Sequence, residues 1–534
     1  MPTPSRAEFL QQVERLRAAH PGDAVIVPVC TRLLADQLTP VVAYRRLVAP
    51  DERAAPSFLL ESVEGGERQG RYSLVGAQPA IEVIARGDTS EVVLHVPRCQ
   101  WLALKARQER DPLAALRAFT QRLHVGEAPG LPGCFLGGLV GYAAYDSVRY
   151  AEPGKLSFAA APPDDRALPD LHFGFYDNVV VFDHAAKLVV LVHLAAVPPG
   201  ADPAPAYDAA LQVLRERAAA LEKHTEPLRS GEVPTEIDPV TPTSNMTRDE
   251  HANMLAKAKE YIRAGDIFQV VLGQRFERVS PADPFDVYRA LRTVNPSPYM
   301  AYIQASGCIL IASSPEILCR VRRDASSGGA AHMVVTNRPL AGTRRRGKTR
   351  EEDLALEREL LADAKERAEH VMLVDLGRND VGRVASPGSI ALPGVMEIER
   401  YSHVMHISST VTGRLREGLD CWDALRAALP VGTISGAPKI RAMQIIDELE
   451  PVRRGPYGGG LGYVGVDGQM DIALALRTIV VPLDARRDGR WTYHMQASGG
   501  IVADSVTQDE YQETVNKAAA MNRAVGVAER AFGA

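Results

Sequence analysis

The sequence predicts a two-domain chain of mixed helix and strand. Three observations carry that expectation. Short apolar or alternating runs such as DAVIVPVC, IEVIARG and NVVVFD, punctuated by glycine and proline, have the character of strands. Thr-x-x-Glu at Thr247, Thr349 and Thr507 has the spacing of a capping box and opens three helices. Between them TEPLRSGEVPTEIDPVTPTSN, residues 225–245, is rich in Pro, Ser and Thr without periodicity and reads as a linker. A chain of 534 residues also exceeds one ordinary core. The domains are therefore expected at 1–235 and 246–534.

Composition narrows the class. At 46% hydrophobic and 24% charged, with net charge -5, nothing favours nucleic acid or an anionic membrane as partner. The longest apolar run, LVVLVHLAAV from Leu188, is too short for a membrane span and reads as a buried strand. The N-terminus lacks the apolar core of a signal peptide. Six scattered cysteines form no CxxC pair, which argues against zinc and for a reducing cytoplasm.

The elements follow in order. After the early strands, AYDAALQVLRERAAALEKH from Ala206 is helical. The Thr247 helix ends near Gly265. IFQVVLGQRFERV is a strand, MAYIQASGCILIASSPEILCRV one or two strands, 322–332 a loose connection and MVVTNRPLAGT a strand. The Thr349 helix places Leu356, Leu360, Leu361, Ala364, Ala368, Val371 and Met372 at helical period and is expected to run through Glu369. GLGYVGVDG, ALALRTIVVPL and WTYHMQASGGIVA are strands before the last helix.

The stretch AEHVMLVDLGRND, 368–380, mixes buried-type residues with Glu369, His370, Asp375, Arg378, Asn379 and Asp380. Burying an unpaired charge costs several kcal/mol, so these groups need partners, water or a metal. Glu366 and Glu369 share a helix face, and Glu510 and Glu513 repeat the spacing. Facing one another, the two pairs suit Mg²⁺; separately, they suit solvated helix faces. Asp375 and Asp380 also fit as turn partners of Arg378. His403 and His406 fit either a core or a catalytic role. GTISGAPK lacks Walker A spacing, which disfavours nucleotide binding. The glycines of PYGGGLGYVG and QASGGIV fit either a ligand against backbone N–H groups or a close strand crossing.

IFQVV, NPSPYM, SSPE, PLAGT, AEHVMLVDLGRND, YSHVMH, GTISGAPK, YGGGLGY, Arg477 and QASGGIVADSVTQDEYQETVNKA occur in this order. Together they resemble the chorismate-using enzymes, and within that family the anthranilate synthase large subunits. The resemblance implies an α+β fold of four α/β/β/α layers with two orthogonally packed, largely antiparallel sheets. It assigns 246–534 to chorismate binding and catalysis, and 1–235 to a contribution to tryptophan feedback. It implies Glu369 and Glu513 as Mg²⁺ ligands, with Glu366 and Glu510 beside them through water. Tyr457 and Arg477, with the backbone at Gly342, Thr343, Ser498, Gly499 and Gly500, match substrate contacts. Glu316 matches the acid that protonates the departing C4 hydroxyl, so its pKa is expected to be raised. His406 and Thr433 match residues near the ring. Leu60, Glu61, Ser62, Pro298, Tyr299 and Met300 resemble a tryptophan feedback site, or a site holding tryptophan structurally.

Two positions bear on the reaction. Relatives that add water use a lysine base where this chain has Gln269. Relatives that make aminodeoxychorismate usually carry a lysine nucleophile where this chain has Ala341. The resemblance thus implies direct attack of ammonia on chorismate, giving anthranilate and pyruvate. No cysteine lies in a Gly-x-Cys-x-Gly-x-Gln setting, so a separate glutamine amidotransferase subunit is expected to supply ammonia. Thr507 stands where the family commonly has proline, and Ser498 where it often has glycine. The alternatives are aminodeoxychorismate synthase and a non-catalytic amino-acid-binding regulator. Glu369, Glu513, Glu316, Arg477 and Tyr457 together argue against the regulator.

Overall fold

The structure is a computed structural model. It describes the chain except residues 1, 65–67, 100–110, 128–129, 224–227, 238–239, 325–331, 402–403 and 534. His403, part of the 225–245 segment and most of the 322–332 connection thus lie outside the described residues.

Two large sheets organise the described residues, of thirteen and eleven strands. Their pairings are antiparallel except where Val25–Leu33 meets His124–Val125. Alternation explains why many strands are apolar on both faces. In Asn178–Asp183, Val180 and Phe182 pack under the helices of the first sheet, whereas Val179 and Val181 face the second sheet. Leu188–Val197 is the expected buried strand and divides its residues the same way. Helices Arg6–Ala19, Ala204–Glu222, Pro284–Val294 and Thr507–Phe532 cover the outer face of the first sheet. Pro112–Thr120, Ala364–Gly382 and Cys421–Ala428 cover the second. The packing order is therefore helix, sheet, sheet, helix.

Both sheets join the two halves of the chain. In the first, Tyr299–Ala305 pairs with Ser57–Glu61; in the second, Gly460–Gly465 pairs with Gly138–Ala143. At the latter seam Gly462 stands opposite Gly141. A Cβ on Gly462 would lie 2.2 Å from the Asp471 carbonyl oxygen, so this glycine serves close strand contact.

Several boundaries differ from expectation. The helix from Thr349 stops at Ala362, and a new one, Ala364–Gly382, begins after Asp363. The Asp363 carboxylate accepts from the backbone N–H groups of Lys365 and Glu366, capping a fresh helix. The Thr247–Glu250 capping box is complete, and its helix ends at Gly265 with φ +82°. At Thr349 only half the box forms, because the Glu352 carboxylate accepts from Lys348 N–H instead. At Thr507 none forms: Thr507 is already helical and Glu510 is left free for other contacts. MAYIQASGCILIASSPEILCRV makes three strands rather than one or two, and MVVTNRPLAGT makes two. Ala391–Arg400 is a strand that the alternation did not reveal.

A buried ion pair ties a strand of the first sheet to the turn at Gly432–Ile434. Arg454 bonds Glu450 at 2.6 and 2.8 Å and donates to the carbonyls of Ile434 and Val271, both at 2.7 Å. Glu450 also accepts from Gly273 N–H at 3.0 Å. Glu450→Ala strands this guanidinium, an expected loss of about 3–5 kcal/mol. A lowered urea midpoint at unchanged m-value checks it.

Candidate active site

Eleven consecutive residue pairs join Gln269–Ser280 to Trp491–Ile501 and fix the centre of the site. Gly499 and Gly500 lie on the second of these strands. A Cβ on Gly500 would stand 2.5 Å from Gln269 Nε2 and 3.6 Å from Glu369 Oε1. A Cβ on Gly499 would stand 3.0 Å from Glu510 Oε2 and 3.8 Å from Glu513 Cδ. The glycines therefore keep open the space where two helices present their carboxylates. Gln269 Nε2 donates to Glu369 Oε1 at 3.1 Å. The amide is a fixed donor here, with no basic function.

Two of the four glutamates respond to this crowding. Burial, then the nearby charges of Glu366 and Glu513, raises the pKa of Glu369. Burial and Glu513 raise that of Glu510. Among the described residues Glu510 Oε2 is buried without a well-formed hydrogen bond, although the Ser505 side chain lies near enough to oppose the shift. Lys517, one turn after Glu513, donates to Glu513 Oε1 at 2.5 Å and to the Ser498 carbonyl at 2.9 Å. Among the described residues no three His, Cys, Asp or Glu side chains already form a metal cage. The chemistry of the set nevertheless fits a hard cation: carboxylates only, with an orphan oxygen and glycine-lined room for water.

Glu316 follows the strand Cys308–Ser314 and is buried. Burial pushes its carboxyl up to about 8; a hydrogen bond from Thr433 opposes that shift and the charge of Glu399 reinforces it. Thr433 Oγ1 donates to Glu316 Oε1 at 2.9 Å. This shift has the direction expected from sequence, toward a weaker acid.

His406 is placed by a bulge. The ladder between Leu340–Arg345 and Val404–Arg414 shifts register at Gly342, whose φ is +65°. The Gly342 carbonyl accepts from His406 Nδ1 at 2.9 Å, with Thr343 Oγ1 3.1 Å from the same nitrogen. Burial holds the imidazole down to about 4, so it is neutral and Nε2 is the acceptor nitrogen.

Tyr457 and Ser498 share a hydrogen bond of 2.6 Å between hydroxyls. Arg477, half-buried, has left-handed backbone at φ +47°. Among the described residues its guanidinium has no carboxylate partner, and burial lowers its pKa. An uncompensated guanidinium in that setting is suited to an anionic ligand.

The other charges of 368–380 resolve singly. Asp375 pairs with Arg378 on the surface at 2.8 Å. Asp380 pairs instead with buried Lys439 of GTISGAPK at 2.6 Å. His370 bonds Ser409 at 2.6 Å. Lys517 is the participant that sequence reading missed; its signal was the i,i+4 spacing from Glu513.

Away from these groups, a cavity of about 870 Å³ opens between the sheets. Leu60, Glu61, Ser62, Pro298, Tyr299 and Met300 all line it. Strand pairing of Met300 with Glu61 brings the two segments together. Glu61 is held by Tyr288 at 2.6 Å and by Arg292.

The family described as chorismate binding enzyme matches residues 56–523. The chain belongs to that family. It is 50% identical to anthranilate synthase alpha subunit 1, chloroplastic, of Oryza sativa subsp. japonica, over 98% of this chain and 91% of the relative. It is 46% identical to anthranilate synthase component 1 of Pseudomonas putida, over 94% of this chain and 96% of the relative. The crystal structure of anthranilate synthase component I from Streptococcus pneumoniae TIGR4 superposes with TM-score 0.66 at 35% identity, covering 91% of this chain and 98% of the other. As a chorismate-binding enzyme the chain has the expected α+β architecture with two mostly antiparallel sheets.

Glu316 also couples stability to pH. Its folded pKa, about 8, lies above the ordinary carboxylate value of 4.5, so the folded state holds the extra proton. Its contribution is complete below about 4.5 and is lost as pH rises through about 8. Glu316→Gln is expected to remove that decline. Urea midpoints of both proteins at pH 6 and pH 8.5 measure the difference.

Proposed function

We propose that this chain converts chorismate and ammonia into anthranilate, pyruvate and water, the first committed step of tryptophan biosynthesis. The observation that carries this reading is a buried Glu316, hydrogen-bonded by Thr433, together with carboxylates gathered over Gly499 and Gly500. Geometry ties the groups together: Lys517 reaches Glu513 and the Ser498 carbonyl, and Gly432, next to Thr433, lies against Leu376 of the helix that carries Glu366 and Glu369. Gln269 and Ala341 stand where hydration and covalent amination would each need a lysine. Free ammonia is therefore the nucleophile.

Ammonia attacks C2 of chorismate, the ring double bonds shift, and the C4 hydroxyl leaves as water with the proton of Glu316. The Thr433 hydrogen bond orients that carboxyl. Loss of the C2 proton and of the enolpyruvyl arm as pyruvate then makes the ring aromatic. Neutral His406 helps to orient this elimination. Arg477 takes the enolpyruvyl carboxylate bidentately, next to the Tyr457–Ser498 hydroxyl pair. Backbone N–H groups at Gly342, Thr343, Gly499 and Gly500 complete the substrate contacts. When bound, Mg²⁺ on Glu369 and Glu513, with Glu366 and Glu510 beside it through water, supplies charge to neutralise and position the ring carboxylate.

A glutamine amidotransferase subunit supplies the ammonia; the relatives' designations as component 1 and alpha subunit support a partnered enzyme. Tryptophan occupies the 870 Å³ cavity as feedback inhibitor. All six cysteines are free thiols, in keeping with the cytoplasm. Among the described residues no helix is long and apolar enough to cross a membrane.

The test is purified chain with chorismate, Mg²⁺ and ammonium, followed by anthranilate fluorescence. Signal that requires Mg²⁺ and disappears in Glu513→Gln is the expected result. Consumption of chorismate without anthranilate would instead indicate a stalled amino intermediate or another chorismate reaction. Glu316→Gln is expected to lower kcat by about 10²–10⁴-fold. In the parent, kcat/KM should fall as pH rises through about 8, where Glu316 ionises. An unchanged alkaline limb in Glu316→Gln would remove Glu316 from the acid role.

A further inference from the structure

The cavity and the catalytic acid share a wall. On one side the cavity is bounded by Leu60, Glu61 and Tyr299; on the other by Pro315, Glu399 and Tyr401. Pro315 immediately precedes Glu316. The Tyr401 hydroxyl donates to Glu399 Oε2 at 2.7 Å and has a weaker second acceptor, the Pro315 carbonyl, at 3.4 Å. The Tyr401 ring meets the His406 ring edge to face, with centroids 5.6 Å apart. Glu399 stands opposite His406 in the strand ladder and is itself paired with Arg338. One tyrosine therefore touches the cavity, the segment carrying Glu316 and the His406 ring.

We propose that Tyr401, held by Glu399, is a positioning residue for Glu316 and His406, and that a ligand in the cavity acts on the reaction through it. The inference rests on reading the cavity as an amino-acid inhibitor site. Its physical content is the single hydroxyl proton with two acceptors. Bonded to Glu399, the tyrosine leaves the Pro315 carbonyl alone. Turned to Pro315, it pulls on the backbone that carries the acid and releases Glu399, whose negative charge favours the protonated form of Glu316. Thr433 bonds Glu316 directly, the charges of Glu399 and Lys517 act on it, and the Tyr401 switch rearranges the Glu399 contact and the backbone at Pro315. A ligand packed against the ring from the cavity side biases the choice. Two discrete hydrogen-bonded arrangements are what such coupling requires.

Tyr401→Phe keeps the ring and deletes the proton. In the full chain with Mg²⁺, chorismate and ammonium, kcat is expected to fall severalfold while KM for chorismate stays within about twofold. Tryptophan should still bind by calorimetry, within about twofold of the parent Kd, yet inhibition at saturation should weaken by about fivefold or more. A merely structural role would weaken binding and activity together. Glu399→Gln, which retains an acceptor but loses the charge, should also weaken inhibition and move the alkaline limb of kcat/KM to lower pH. If both variants bind tryptophan and are inhibited like an inhibited parent, this inference alone is overturned. If the parent binds no tryptophan, the inhibitor reading fails and this inference fails with it.

Discussion

Like charges crowded into a half-buried space dominate this molecule. Glu366, Glu369, Glu510 and Glu513 come from two helices far apart in sequence; burial first, and then the neighbouring carboxylate charges, raise the pKa values of Glu369 and Glu510. Such an arrangement survives only with compensation. Gln269 contributes an amide hydrogen to Glu369, and Lys517 contributes an ammonium to Glu513. Two glycines keep the strand below the carboxylates bare. Much of the surrounding frame serves to hold those two helices. Lys439 pairs with Asp380 at the far end of one, and Arg454 with Glu450 secures the strand and loop beneath.

Burial acts on Glu316 in the same direction and further, to about 8. It is buried with a hydroxyl donor and no cation in hydrogen-bond contact, so the neutral form is favoured. Two environments within one site thus drive glutamates to different tasks. Lys517 and the Gln269 amide answer the clustered carboxylates, whereas Glu316 meets a hydroxyl donor where burial prevails. This difference in partners underlies the proposed chemistry, because the departing hydroxyl needs a proton donor while the ring carboxylate needs positive charge.

The shared sheets give the geometry its reach. Because each sheet combines strands from before and after 225–245, the cavity between them is lined by both halves of the chain. Glu61 and Met300 meet there through strand pairing, and Pro315 and Tyr401 also line it. A ligand held in the cavity is therefore separated from the acid by one layer of side chains.

Local physics was legible in the sequence. The buried strand at Leu188, the capped helix from Thr247 to Gly265, the helical spacing of Glu366 with Glu369 and of Glu510 with Glu513, and the family motifs could all be read from neighbouring residues. They depend on backbone period and short-range hydrogen bonds, which a linear pattern encodes. Long-range competition was not legible. Asp363 ends one helix and starts another because its carboxylate finds two N–H groups, and the Thr507 box fails because the helix begins one residue early, with Val506 at the cap position. Whether glycine served a ligand or a strand crossing also depended on what lay across the ladder: carboxylates above Gly499 and Gly500, backbone against Gly462. The sequence by itself determined which residues carry charge, turn or period. Only the tertiary structure decided which charges are buried, which meet, and which stay protonated, because desolvation and Coulomb energy depend on distances that no spacing along the chain specifies.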